Sequence, residues 1–280
     1  MAGRSDMADF KLGIVEWACP LPGPYGLKLA HESGLQGMEL DFGDYEAGFP
    51  LSNGRIQEAY LECADRFGME LPSMALNALN KHGMNHPADT YHGMVALETI
   101  RKGIVSAHRM NIPVVQLPSF DNGEIRTESD FYNVCEKLKI ACDIAAKYDL
   151  IIAAENVLSS EKTLQLVEQV GCENLKIMFD TQNYYLDRGY DEAEILQNIH
   201  EHVIQVHIKD GFNQKISSAL LGTGNVEFYK TVEVIRKTAC TEWLLLENYY
   251  HMWPLRELEE DSYQVLEKDV RMAKEIFGIS

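Results

Sequence analysis

Short runs rich in aliphatic and β-branched residues recur along the chain, and between them lie longer stretches whose apolar positions repeat every three or four residues. The runs are KLGIVE (11–16), GMELD (37–41), ELPSMAL (70–76), PVVQLP (113–118), LIIAAE (150–155), LKIMFD (175–180), VIQVHIK (203–209) and WLLLE (243–247). Each reads as a strand. The intervening stretches include IQEAYLECADRFG (56–68), MVALETIRKGIVSAHRM (94–110), FYNVCEKLKIACDIAAKYD (131–149), DEAEILQNIHEH (191–202), FYKTVEVIRKT (228–238) and a last one at SYQVLEKDVRMAKEIFG. These read as helices. In the seventh run the period of two puts Gln205, His207 and Lys209 on one face and Ile204, Val206 and Ile208 on the other. An apolar strand carrying a histidine and a lysine on one face has chemistry on that side.

Strict alternation of strand and helix implies parallel strands joined by right-handed crossovers. Gly34 and Gly68 follow periodic segments directly, as left-handed helix caps do. No Pro/Gly/Ser linker or low-complexity tract divides the chain, so residues 1–280 are read as one domain. Eight strand–helix units over this length match an α/β fold of the (β/α)8 TIM barrel type. The competing doubly wound open sheet calls for a Gly-rich phosphate turn after its first strand, and the segment there reads WACPLPGPYG. The opening MAGRSDMADF (1–10) lacks an apolar signal core and is expected to be a flexible N-terminal segment.

Charge and cysteines narrow the function classes. With 25 basic against 43 acidic residues the formal net charge is -18, which repels a phosphate backbone and an anionic membrane surface. Neither nucleic acid nor membrane is expected as a partner. The six cysteines are widely spaced with no C-x-x-C pair, which fits free thiols in a reducing cytoplasm.

In a barrel of this type the chemistry collects at the C-terminal strand ends. There the chain places Glu155, Asp180, His207 and Glu247 on four consecutive strands. Neighbouring strands are about 4.8 Å apart, so four inward side chains can converge. Three carboxylates and an imidazole at one point repel each other and resist desolvation unless a divalent cation lies among them. Oxygen-rich ligation with one nitrogen suits Mn²⁺, Mg²⁺ or Co²⁺, with Zn²⁺ also compatible, and the lack of cysteine ligands speaks against a structural zinc. The bland alternative is that the acids cap following helices, which Asp180 and Asp210 are placed to do.

These pieces resemble the xylose isomerase-like barrel superfamily of sugar isomerases and epimerases, which includes ketose 3-epimerases, L-ribulose-5-phosphate 3-epimerases and inositol-catabolism dehydratases. The resemblance rests on GMELDF around Glu39, AAEN around Glu155, FDTQNYY with Asp180, QVHIKD with His207, LGTGNVEF (221–228) and LLLENYY with Glu247. It implies that Glu155, Asp180, His207 and Glu247 bind one divalent metal, and that Glu155 and Glu247 form the acid–base pair. The implied reaction is epimerisation at C3 of a ketose or ketose phosphate through a cis-enediolate, the metal stabilising the negative oxygens while one glutamate removes the proton and the other returns it. Aldose–ketose isomerisation and dehydration of an inositol-derived ketone use the same ligands. The chain departs from the free-ketose pattern at Asn183, where those enzymes carry a histidine, and at Asn213, where they carry an arginine.

Other residues have two readings each. Lys209 can reach a substrate hydroxyl or phosphate, or pair with Asp210 or another acid at the rim. Glu39 points up the barrel as ligand or as support beneath the ligands. His82 and His86 lie in a loop placed to cover the site, and Asn183 stands beside it. Trp17, Tyr249, Tyr250 and Trp253 offer flat walls for a sugar, or pack loops. Gly222 and Gly224 open a helix predicted at Asn225, as a phosphate cradle or a tight turn. Met74 and Met178 are expected to fill the barrel. The expected partner is a small-molecule sugar or sugar phosphate, with self-association into a dimer or tetramer compatible with the fold. An endonuclease IV-like DNA-repair barrel, the rival from another class, requires a basic groove and more histidine ligands. A non-enzymatic sugar-binding barrel is the third class.

Overall fold

A computed structural model describes residues 9–279 of the protein. All eight predicted runs contain strands: β1 (Lys11–Val15), β2 (Gly37–Asp41), β3 (Ser73–Ala75), β4 (Val114–Pro118), β5 (Ile151–Glu155), β6 (Leu175–Asp180), β7 (Val203–Ile208) and β8 (Trp243–Leu246). Each pairs in parallel with its sequence neighbours, and β1 closes on β8, giving a closed (β/α)8 TIM barrel. The helices are α1 (Tyr25–Glu32), α2 (Gly54–Phe67), α3 (Ala78–Lys81), α4 (Tyr91–Arg109), α5 (Glu128–Ala145), α6 (Ser160–Val170), α7 (Asn183–Arg188), α8 (Glu192–Ile199), α9 (Phe228–Thr238) and α10 (Ser262–Phe277).

Side-chain caps rather than the apolar stripe set where helices begin. Asn53 accepts the Arg55 amide, Thr90 that of Gly93, and Thr127 with Asp130 forms a reciprocal capping box, so α2, α4 and α5 start before the predicted 56, 94 and 131. At the other end α2 stops on Gly68 at φ 63°, the left-handed geometry expected of that glycine. Of the N-terminal segment 1–10, residues 1–8 lie outside the described residues. Phe10 is buried edge-on against Phe277, a contact with α10 before β1 begins.

Alternation along the strands builds two layers. Leu12, Ile14, Leu40, Val115, Ile177, Val206, Ile208 and Leu246 belong to the core shared with the helices. Val15, Val114, Ala153, Met178, Trp243 and Leu245 form a second cluster of opposite-phase strand residues, which fills the barrel. Met178 therefore fills the barrel as expected, whereas Met74 packs in the helix-side core. Glu39, Gln116, Gln205 and His207 are buried on the inward phase, so polar side chains share the interior with the apolar cluster. Among the described residues no helix is long and apolar enough to cross a membrane.

Candidate metal centre

Glu155 ends β5, Asp180 ends β6, His207 is the penultimate residue of β7, and Glu247 directly follows β8, where its amide donates to the Ile208 carbonyl at 3.0 Å. Asp180 is in register with His207, and Glu155 with Pro118 at the end of β4, so these residues stand at the C-terminal ends of their strands. One ligand atom from each of Glu155, Asp180, His207 and Glu247 lies within 4.8 Å of the others, and all four residues are buried.

Each member is oriented by a partner outside the quartet. Glu39 Oε2 lies 2.8 Å from His207 Nε2, which turns Nδ1 inward, 3.5 Å from Glu155 Oε1 and 3.3 Å from Glu247 Oε2. Glu39 thus stands beneath the quartet as support for the imidazole. Gln116 Nε2 donates to Glu155 Oε2, and Trp17 Nε1 donates to Glu247 Oε1 at 2.8 Å. Asp180 Oδ1 accepts the amides of Gln182 at 2.7 Å and Asn183 at 2.6 Å at the start of α7. One oxygen of Asp180 therefore does act as a cap, and the other remains for the centre.

Lys209 completes the charge balance. Its Nζ lies 2.6 Å from Glu247 Oε2 and 3.0 Å from Asp180 Oδ2, out of line for a hydrogen bond to the latter. Asp210, the neighbour it was a candidate to pair with, instead takes the amides of Gly211 at 2.7 Å and Gly224 at 2.8 Å. The Gly224 amide is thereby occupied by an internal carboxylate, and a Cβ at Gly224 would stand 2.1 Å from Asp210 Oδ1. The Gly222–Gly224 segment is a tight turn, and the helix after it begins at Phe228 rather than at Asn225.

Burial pushes the pKa of Glu155 and Asp180 up, with Glu247 adding repulsion to both. The same burial acts on Glu247, but Lys209 and His207 hold it well below the usual carboxylate range. For His207 burial favours the neutral ring, and the surrounding Glu247, Glu39 and Glu155 overcome it and raise the pKa well above the ordinary histidine value. The pKa values of Glu155 and Glu247 are thus pushed in opposite directions.

The residues fit a divalent cation. His207 Nδ1 and Asp180 Oδ2 are buried polar atoms with no hydrogen bond, in an interior where such atoms are ordinarily paired. Three hard oxygen donors and one imidazole nitrogen suit Mn²⁺, Mg²⁺, Co²⁺ or Zn²⁺.

Above the quartet opens a cavity of about 850 Å³, with Glu155, Lys209 and Glu247 at its base and Trp17, Tyr249 and Asn183 on its walls. His82 is not brought there. It is buried with its ring nitrogens 3.0 Å from Glu46 Oε1 and 3.0 Å from His92 Nδ1, so its loop packs on itself. Tyr250 is buried with its hydroxyl on Asp269, and Trp253 is exposed under Lys215. Gln116 went unnoticed in the sequence, although a glutamine at an inward position of PVVQLP is a legible signal. Arg126 and Arg188, also on the cavity wall, sit in loop and helix-end positions that carry no periodic signal.

The chain is 30% identical over 245 residues to a 2-epi-5-epi-valiolone 7-phosphate 2-epimerase from an Actinoplanes species, covering 86% of this chain and 87% of that protein. It is 25% identical over 250 residues to the L-ribulose-5-phosphate 3-epimerase UlaE of Salmonella typhi, covering 84% and 86%. Among solved structures, the IOLI protein with a bound zinc atom superposes with a TM-score of 0.76 at 14% identity, over 96% of this chain and 98% of that one, a likeness of fold. The named relatives are epimerases, a kind of isomerase. With residues 27–274 matching its model, the chain belongs to the xylose isomerase-like TIM barrel family, as an isomerase of the sugar-epimerase kind.

Proposed function

We propose that the protein is a divalent-metal-dependent epimerase of a ketose or ketose phosphate, moving a proton at the carbon beside the carbonyl, C3 of the ketose, by way of a cis-enediolate between Glu155 and Glu247. The observation that carries this reading is that these two glutamates approach His207 Nδ1 from different strands, Glu155 with Oε2 held by Gln116 and Glu247 with Oε1 held by Trp17 and Oε2 paired with Lys209, and that both line the cavity. Glu155, Asp180, His207 and Glu247 would hold the ion, Mn²⁺ or Mg²⁺ first among the candidates. A bound divalent ion supplies positive charge against the oxygens of the enediolate. Glu155 and Glu247 would be the pair of which one takes the proton and the other returns one on the opposite face. Trp17 and Tyr249 give the sugar a wall, while Asn183 is placed for its hydroxyls and Lys209 holds Glu247.

The two relatives named above act, by their names, on phosphorylated substrates, which supports a phosphate ester here. A net charge of -18 and one histidine among the ligands support a small-molecule substrate over DNA. The six free cysteines support a cytoplasmic location.

The test is incubation with ketoses and ketose 5-phosphates in D₂O with Mn²⁺, following the label by NMR. Deuterium at C3 is expected. Label at C1 would reassign the protein to aldose–ketose isomerisation, and no exchange with any sugar would remove the epimerase reading.

A further inference from the structure

We infer that Arg126 and Arg188 form a clamp for a phosphate monoester at the rim of the barrel mouth. Arg126 lies between β4 and α5, and Arg188 is the last residue of α7, so two separate connections bring them together. They meet on Glu124, whose Oε2 takes Arg126 Nη2 at 2.5 Å and Nε at 2.7 Å and whose Oε1 takes Arg188 Nη2. All three residues line the cavity that has Glu155, Lys209 and Glu247 at its base.

Charge and geometry both direct an anion there. Three basic residues, Arg126, Arg188 and Lys209, line the cavity, and Lys209 is buried and committed to Glu247 and Asp180. An anionic group on a substrate whose reacting carbon sits at the base therefore meets the two guanidinium groups. The Arg–Glu–Arg group carries one net positive charge in a chain of net -18. Arg188 adds a contact from Nη1 to the Asp187 carbonyl at 3.3 Å, so each guanidinium uses two of its roughly five N–H groups and keeps the rest for a ligand. Forked donors of this kind match phosphate oxygens in pairs. Arg188 also stands five residues beyond Asn183 on α7, which places it ~7.5 Å further along the helix axis from the level of the metal ligand Asp180.

Asp121 and Asp187 share the rim and oppose an anion. Arg126 and Arg188 place positive charge on the same cavity that Glu155 and Glu247 line.

The inference rests on the epimerase reading only for where the reacting carbon lies, so its test has a readout that needs no turnover. Mn²⁺-loaded wild type, Arg188→Gln, Arg126→Gln and Glu124→Gln are compared in two ways. Calorimetry measures affinity for inorganic phosphate, and D₂O exchange measures KM for a ketose 5-phosphate and for the matching free ketose. Loss of either arginine is expected to weaken phosphate binding and raise KM for the ketose phosphate by about 10- to 100-fold, the size of a lost charge-assisted contact, with the free ketose unchanged. Glu124→Gln, which frees both guanidinium groups, is expected to move KM for the phosphate ester the other way. A purely structural role for the triad predicts that all three variants weaken binding together. If no sugar exchanges but phosphate affinity still falls in both arginine variants, the clamp stands and the epimerase reading fails. Phosphate affinity and KM unchanged in both arginine variants, or an equal loss with free and phosphorylated ketose, would overturn the clamp.

Discussion

Glu39→Gln isolates the support beneath the metal centre. Glu39 is fully buried and meets His207 Nε2 at 2.8 Å, while Nδ1 faces the other ligands. Glutamine has nearly the same shape, and its carbonyl can still accept from Nε2–H, so the ring keeps its orientation and loses only the negative charge behind it. Losing such a partner weakens metal affinity by about 10- to 100-fold, or about 1.4 to 2.8 kcal/mol. Stability reads this directly, because metal binds only the folded chain. At a free Mn²⁺ concentration of about 100 times the wild-type Kd the metal adds about 2.7 kcal/mol; a site tenfold weaker gains about 1.4 and one a hundredfold weaker about 0.4. Urea melts of wild type and variant, with and without Mn²⁺, give the two gains, and subtracting the metal-free melts removes any cost of the lost Glu39–His207 pair itself. Equal gains in the two proteins would refute the idea that Glu39 acts on the metal through His207.

Three further outcomes are expected. Glu247→Gln should lower turnover by about 10² to 10⁴-fold with an unchanged circular dichroism spectrum, the loss typical of a missing acid–base group, and retained turnover would remove Glu247 from the pair. Lys209 holds the same oxygens a cation needs, 2.6 Å from Glu247 and 3.0 Å from Asp180, so Lys209→Met should bind Mn²⁺ at least as tightly as wild type while its metal-free form is less stable. Weaker Mn²⁺ binding in that variant, measured by calorimetry, would show that the lysine assists the metal rather than standing in for it. Burial pushes Glu192 up to about 8, so between its ordinary 4.5 and that value the unfolded chain binds fewer protons than the folded one and stability falls as pH rises, by up to about 1.4 kcal/mol per pH unit. Glu192→Gln should flatten that slope in melts between pH 5 and 8, and an unchanged slope would place the titration elsewhere.

The barrel was legible because each strand needs an apolar phase toward the helices, which a period of two betrays in six residues. The candidate quartet was legible for a related reason: Glu155, Asp180 and His207 interrupt apolar strands and Glu247 ends one, at the end where loops leave the barrel. Gln205, His207 and Lys209 sharing a face in one strand translated directly into one buried inward column. What failed was reading loops. His82 was placed near the mouth by its position after β3, yet Glu46 and His92 claim its nitrogens, and nothing local encodes a partner ten residues away on another element. Gly222 and Gly224 have the composition of a phosphate cradle, and Asp210, over a dozen residues distant, fills that role internally for the Gly224 amide. Helix starts were misplaced at α2, α4 and α5 because polar caps extend a helix beyond its buried stripe.

Anomalous diffraction from crystals grown with Mn²⁺ tests the central claim most directly. A single peak is expected between the strand ends, within bonding distance of Glu155, Asp180, His207 Nδ1 and Glu247, with Glu39 still on Nε2 and Lys209 withdrawn from at least one of its two carboxylates. Protein saturated with Mn²⁺ that shows no density among those four side chains, or an ion held elsewhere, would contradict it.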